Sequence, residues 1–183
     1  GKAVYVNGAN GTNVTIALAQ ANAESTSSQT LGLVEADILQ GADGYVLTQG
    51  ALAGLDTTAA ANEGDPVYLS PTVAGGLVYG LINKPSAPSH LVYMGTVSRK
   101  NLNNGEIFIK VQNGYELDEI HNVSAGSPSS GDFLKYNGTL WVNDAINLGT
   151  DTVGDYVASL VAGTGVTLSN NSGEGATPTV AIG

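Results

Sequence analysis

Cysteine is absent from the 183 residues, which removes disulfide scaffolds, thiolate zinc sites and cysteine nucleophiles together. Basic residues are scarce, six Lys and Arg against sixteen Asp and Glu, for a formal charge of −10. A surface of that sign repels phosphate backbones and anionic lipid, which argues against nucleic-acid and membrane-surface partners. No apolar run approaches the roughly 18 residues of a spanning helix, and no basic stretch leads into an apolar signal segment. Charged residues make up only 12% of the chain, so the exposed faces of a helical bundle could not be built and a disordered polyampholyte is equally excluded. Histidine occurs twice, as His90 and His121, leaving few groups that titrate near neutrality. There is no G-x-S-x-G elbow, phosphate-binding Gly loop with Lys-Ser/Thr, or H-E-x-x-H. A non-enzymatic chain without catalytic residue, cofactor or metal site is the expectation.

What the sequence does contain is glycine, 25 residues of it, and short runs rich in Val, Ile, Tyr and Thr. Asn-Gly occurs five times, at Asn7, Asn10, Asn104, Asn113 and Asn137, a dipeptide that supplies the positive φ angles of tight hairpin turns. Strands are predicted at 3–6, 13–18, 30–35, 44–49, 66–70, 76–82, 90–98 and 106–112. Eight short strands in about 120 residues predict a compact barrel or sandwich. "AQANAESTSSQT" (19–30) has no apolar stripe and reads as a surface connection, and Pro85 and Pro88 mark a loop.

The opening "GKAVYV" is nearly repeated by "GDPVYL" at 64–69. With an offset of 63, Val4-Tyr5 falls on Val67-Tyr68 and "LGLV" (31–34) on "MGTV" (94–97). "YVLTQG" (45–50) and "IFIKVQNG" (107–114) follow in the same order. A period this long is one structural unit per copy, so residues 1–122 are expected to be a duplicated β domain with copies at about 1–50 and 64–114 and with Tyr5 and Tyr68 in matching environments. "VSAGSPSSG" (123–131) reads as a linker, and 132–183 as a hairpin, "FLKY" and "TLWV" about Asn137-Gly138, followed by a thin shaft. Val153, Tyr156, Val157 and Leu160 also fit a short helix, but Gly154 and the β-branched neighbours favour strands near 156–161, 165–169 and 179–182. The Gly start and the "VAIG" end suggest a piece of a longer polypeptide.

"GDPVYLSPTVAGGLVYGL" with "GEIFIKVQNGYELDEIHNV" resembles a module of tail-fibre and other virion structural proteins of bacteriophages, especially phages of marine bacteria. "SPSSGDFLKYNGTLWVND" is similar to a short repeat of the same proteins, and "GTDTVGDYVASLVAGTGVTLSNN" through "ATPTVAIG" to their Gly/Thr-rich shafts. The resemblance implies an all-β, trimeric, extracellular virion appendage that connects to other virion proteins and supports host attachment, on a tail or as a head fibre or capsid decoration. It brings no catalytic residues.

Two groups of residues invite a binding role. In "YELDEIHN", strand alternation would put Glu116 and Asp118 on one face and Glu119 and His121 on the other, where two carboxylates could hold a hard cation; a solvated exit segment is the plainer reading. Tyr136 and Trp141, flanked by Asn and Asp, could stack on a sugar of a host glycan, or serve as packing in a core or interface. Asp144, Asp151 and Asp155 lack the spacing of a calcium loop and read as turn residues. The sequons at Asn10, Asn13, Asn122, Asn137 and Asn170 would matter only in a eukaryotic secretory route.

Overall fold

A computed structural model describes residues 1–147, 150–151, 160–171 and 177–182. Among the described residues its regular secondary structure is almost wholly strand, in antiparallel sheets with one parallel pairing, and the chain divides into two units, Gly1–Ile120 and His121–Gly183.

In the first unit β1 (Ala3–Ala9) lies between β2 (Val14–Leu18) and β3 (Thr30–Val34), and β4 (Val46–Leu47) pairs with β3, giving the order β2-β1-β3-β4. After β5 (Gln49–Leu55) come β6 (Pro66–Leu69), β7 (Leu77–Tyr79), β8 (Val92–Arg99) and β9 (Gly105–Asn113), in the order β5-β9-β8-β6-β7. With β5 set aside, the second order is the first one over again. The registers agree residue by residue. Val4 faces Leu18 and Gly32, and Val67 faces Tyr79 and Gly95. Each first strand then slips by a bulge at the same place, so that Tyr5 meets Thr30 and Tyr68 meets Tyr93. Leu33 faces Leu47 as Thr96 faces Phe108, and Val34 faces Val46 as Val97 faces Ile107. These two arrangements are called motif I (β1–β4) and motif II (β6–β9) below.

Gly32 and Gly95 explain the shared shape. A Cβ on Gly32 would fall on the Leu47 carbonyl oxygen, and one on Gly95 on that of Phe108, with the Ile109 Cα at 3.0 Å. In both motifs the fourth strand therefore crosses close over the third, an approach open only to a residue without a side chain.

The core of this unit is shared. Leu33, Val67, Leu69, Val92, Met94, Val97, Ile107 and Ile109 are fully buried, with Ala3, Ala19 and Ala21. Ala19 and Ala21 show that the 19–30 connection is not all surface: Gly75 donates to Ala19, and Ala21 to Ser70, before a single helical turn, α1 (Glu24–Ser27). The predicted 76–82 strand stops at Tyr79 and continues as a 3₁₀ turn, Leu81–Asn83.

The turns use asparagine differently from the expectation. Gly8, Gly105 and Asn113 lie inside strands; at the other two sites Gly11 and Gly138 supply the expected positive φ, 91° and 102°, while Asn10 and Asn137 have ordinary negative φ. Their side chains cap the loops instead: Asn10 Oδ1 accepts from the Thr12 and Asn13 N–H groups at 3.0 and 2.8 Å, and Asn137 Oδ1 from Thr139 and Leu140 at 2.9 and 3.0 Å. A short amide side chain reaches its own loop's donors, which a two-residue turn would leave to solvent.

In the second unit β10 (Val123–Ser124) runs parallel to β12 (Trp141–Asp144), which pairs antiparallel with β11 (Phe133–Tyr136). The 123–131 segment is thus partly strand rather than all linker, because Trp141 N–H donates to Asn122 O and draws the chain into the sheet. β13 (Val166–Ser169) and β14 (Thr179–Ile182) form a second hairpin. The segment predicted near 156–161, with Val153 and Val157, falls largely outside the described residues.

Candidate functional site

The acidic segment is not a strand. Leu117–Glu119 is one 3₁₀ turn with a reciprocal cap: the Glu119 carboxylate accepts the Glu116 N–H, and the Glu116 carboxylate the Glu119 N–H. A turn brings side chains three residues apart together, so the predicted sorting of 116 with 118 and of 119 with 121 does not hold. Glu116 faces a partner that sequence distance concealed: His90 Nδ1 lies 3.3 Å from Glu116 Oε1 and 3.1 Å from Glu24 Oε2. The His90 backbone N–H donates to Ala21 O, which holds the residue between α1 and the exit segment. His121 belongs to the second unit. Among the described residues no group of three or more His, Asp or Glu is placed to hold a metal ion; Glu116 and Glu119 cap the turn, and Glu116 and Glu24 lie against His90.

The aromatic pair is in the second unit. Tyr136 and Trp141 face each other across β11 and β12, with ring centroids 5.5 Å apart and planes tilted by 50°. Neither is covered: Trp141 is 41% and Tyr136 54% exposed, and Phe133, Leu134 and Ile146 are exposed with them. Among the described residues of this unit only Ala125 is buried. The sheet is held instead by polar contacts. Lys135 Nζ bridges Asp144 Oδ2 at 2.8 Å and Asp151 Oδ1 at 3.0 Å. Asp132 accepts from Ser129 N–H and Asn143 Nδ2 at 2.9 and 2.8 Å. Asp144 and Asp151 therefore serve Lys135, while Asp155 lies outside the described residues.

The donors have electrostatic consequences. The Ser129 N–H, then Asn143, hold the Asp132 carboxyl below its ordinary value of 3.8. The Asn147 N–H and then Lys135 do the same for Asp151, and Asp144, then Asp151, raise Lys135. A carboxyl with a depressed folded value contributes stability above its unfolded value and loses it as pH falls through the folded one. Melting of this unit, followed through Trp141, the sole tryptophan, is expected to be level from pH 7 to about 4 and to drop below that. Asp132→Asn is expected to shrink the acid loss; an unchanged drop in that variant would contradict the assignment.

A second surface lies on motif I. A cavity of about 490 Å³ sits between β2 and the loop preceding β4, lined by Val4, Ile16, Leu18, Val34, Ile38 and Leu39 among others. Sequence pattern gave no sign of it, because the loop that covers it is irregular and meets the sheet only in the fold.

No known protein family, curated protein or solved structure matches the chain. Among the described residues no helix is long and apolar enough to cross a membrane.

Proposed function

We propose that this chain is a non-catalytic structural module of a bacteriophage tail or virion fibre, assembled as a homotrimer outside the cell and supporting host attachment. One observation carries the reading: the second unit has a regular three-stranded sheet whose large apolar residues, Phe133, Leu134, Tyr136 and Trp141, stay exposed on a single chain. Burying a large apolar side chain contributes about 1.5–3 kcal/mol, and ordering each backbone residue costs about 1–2 kcal/mol. Residues 121–183 recover little of that cost alone and much more when copies share the apolar surface. Cyclic association also pairs strand edges that otherwise face water, and the resemblance to fibre modules selects three copies. Other virion proteins would adjoin it, on a tail or as a head fibre.

Light scattering of the whole chain is expected to give three times the chain mass, and a chain ending at Val123 a smaller assembly. A monomeric whole chain, or a trimer unaffected by the truncation, would refute tail-driven assembly.

The exposed tilted pair Tyr136–Trp141 favours one alternative, a carbohydrate-binding adhesin module in which the rings stack on a sugar of the host surface. Binding on a glycan array that disappears with Trp141→Ala would select it. A blank array would leave the structural role.

A further inference from the structure

The two motifs share strand order and register but part company between their third and fourth strands. In motif II that connection is the short turn 100–104 between β8 and β9. In motif I it is the longer loop 35–45 between β3 and β4, which lies over the sheet. Val4 and Val34, the counterparts of Val67 and Val97, are accordingly buried, yet they stand outside the core cluster that contains the motif II pair. An irregular loop has no regular rows of side chains to interdigitate with those of a sheet, so it covers less completely than a second sheet does. A cavity of about 490 Å³ and another of about 600 Å³ remain beneath it. Val14, Ile16, Ile38 and Asp43 border both, so the two adjoin.

The lining has the make-up of a small-molecule site, and each volume falls within the roughly 300–1,000 Å³ usual for one. The floor is apolar, with Val4 and Val34 buried and Ile16 half-buried beside them. Around the mouths stand apolar side chains that the chain leaves in water: Val14 is exposed, and Leu39 and Tyr45 are 79% and 81% exposed. The roof is fastened at few points. Ile38 packs on Gly44, where a Cβ would collide with it, and the Glu35 N–H donates to Tyr45 O at 3.2 Å. Across the mouth Asn13 Nδ2 donates to Asp43 Oδ1 at 3.1 Å. Charge is unevenly placed. Lys2 and Asp37 border the first cavity only, whereas Asp43 borders both and is the one charged residue lining the second.

We propose that the hollow under the 35–45 loop binds a small cationic amphiphile. Its apolar body lies on Val4, Ile16 and Val34, and its ammonium head meets the Asp43 carboxylate, which Asn13 already orients. Binding covers Leu39 and Val14, and that apolar burial supplies most of the affinity. Asp43 supplies the choice of head group, because a carboxylate accepts from an ammonium and repels an anion. The duplication thus has a division of labour: motif II spends this face on the core, and motif I roofs it with a loop and keeps a site. The site lies wholly within residues 1–120 and stands whether or not the chain forms trimers.

Octylamine, octanol and octanoate, which share a tail and differ in the head, test this by calorimetric titration of the whole chain at pH 7. Octylamine is expected to bind about fivefold more tightly than octanol, and octanoate most weakly. Asp43→Asn should bring octylamine to the level of octanol and leave octanol unchanged, which separates a local contact from the attraction of the chain's overall charge of −10. Ile16→Trp, checked for wild-type melting, should fill the hollow and weaken all three. Val14→Trp, at an exposed position that borders both cavities, takes its place should that variant melt early. Trp141→Ala should change nothing. Absence of binding, octanoate binding as tightly as octylamine, or binding indifferent to the filling variants would overturn the proposal. Loss of binding with Trp141→Ala would do the same, by moving the probe to the aromatic pair of the second unit.

Discussion

Gly95→Ala is expected to destabilise the first unit by about 3 kcal/mol or more, enough to lower its melting temperature by roughly 10 °C. Two costs add. Gly95 has φ +150°, a conformation that side chains rarely adopt. Its new Cβ would also overlap the Phe108 carbonyl and press on the Ile109 Cα. Backbone does not yield as a side-chain tip does, so relief requires prising β9 from β8, next to fully buried Ile107 and Ile109. Gly32→Ala meets the corresponding obstruction at Leu47 and Thr48 and is expected to be costly for steric reasons alone. Gly11→Ala is the control: its φ is +91° but nothing lies within 4 Å of the added carbon, so the cost is about 1–2 kcal/mol. Thermal melts followed by circular dichroism check the order. A Gly95→Ala protein that melts with wild type would mean that the close crossing of β9 over β8 does not exist.

Ile107→Ala should cost about 2–5 kcal/mol, and Val46→Ala, at the equivalent position of motif I, under about 1 kcal/mol. The two residues occupy the same place in the register, opposite Val97 and Val34, and the same face of the sheet. Intrinsic strand propensity hardly separates them, so the contrast measures what lies across from each. Ile107 is enclosed by the shared core, and deleting its outer carbons leaves a cavity that close-packed neighbours fill only in part. Val46 is half-buried outside that core and can be replaced by water at little cost. Denaturant unfolding of both variants reads the difference. Equal losses would show that the two positions are equally enclosed.

Much of this architecture is local in origin. Period-two alternation, β-branched content and turn residues place β1, β3, β6, β8, β9 and the β11–β12 hairpin close to where they are found, since these signals depend only on neighbours along the chain. The all-β class follows from the same residues, and the offset of 63 anticipates the common strand order because equal sequence at equal spacing makes equal ladders. β5 escaped, as "QGALAGL" has two glycines and no β-branched residue; it is a strand because β9 offers it a ladder, a tertiary cause. The same holds for Glu116, whose association with His90 and Glu24 links residues 26 and 92 positions apart.

The sequence by itself determined the absence of thiol chemistry, the acidic surface, the strands and the mismatch between a compact first part and a thin apolar second part. Only the tertiary structure decided what covers each face of each strand. A strand with apolar residues on both sides, such as "AVYV" or "PVYL", is satisfied by cover on either side. Ala3 and Val4 are both buried, as are Val67 and Tyr68, and what covers each of them is supplied by residues too far along the chain for any local pattern to encode.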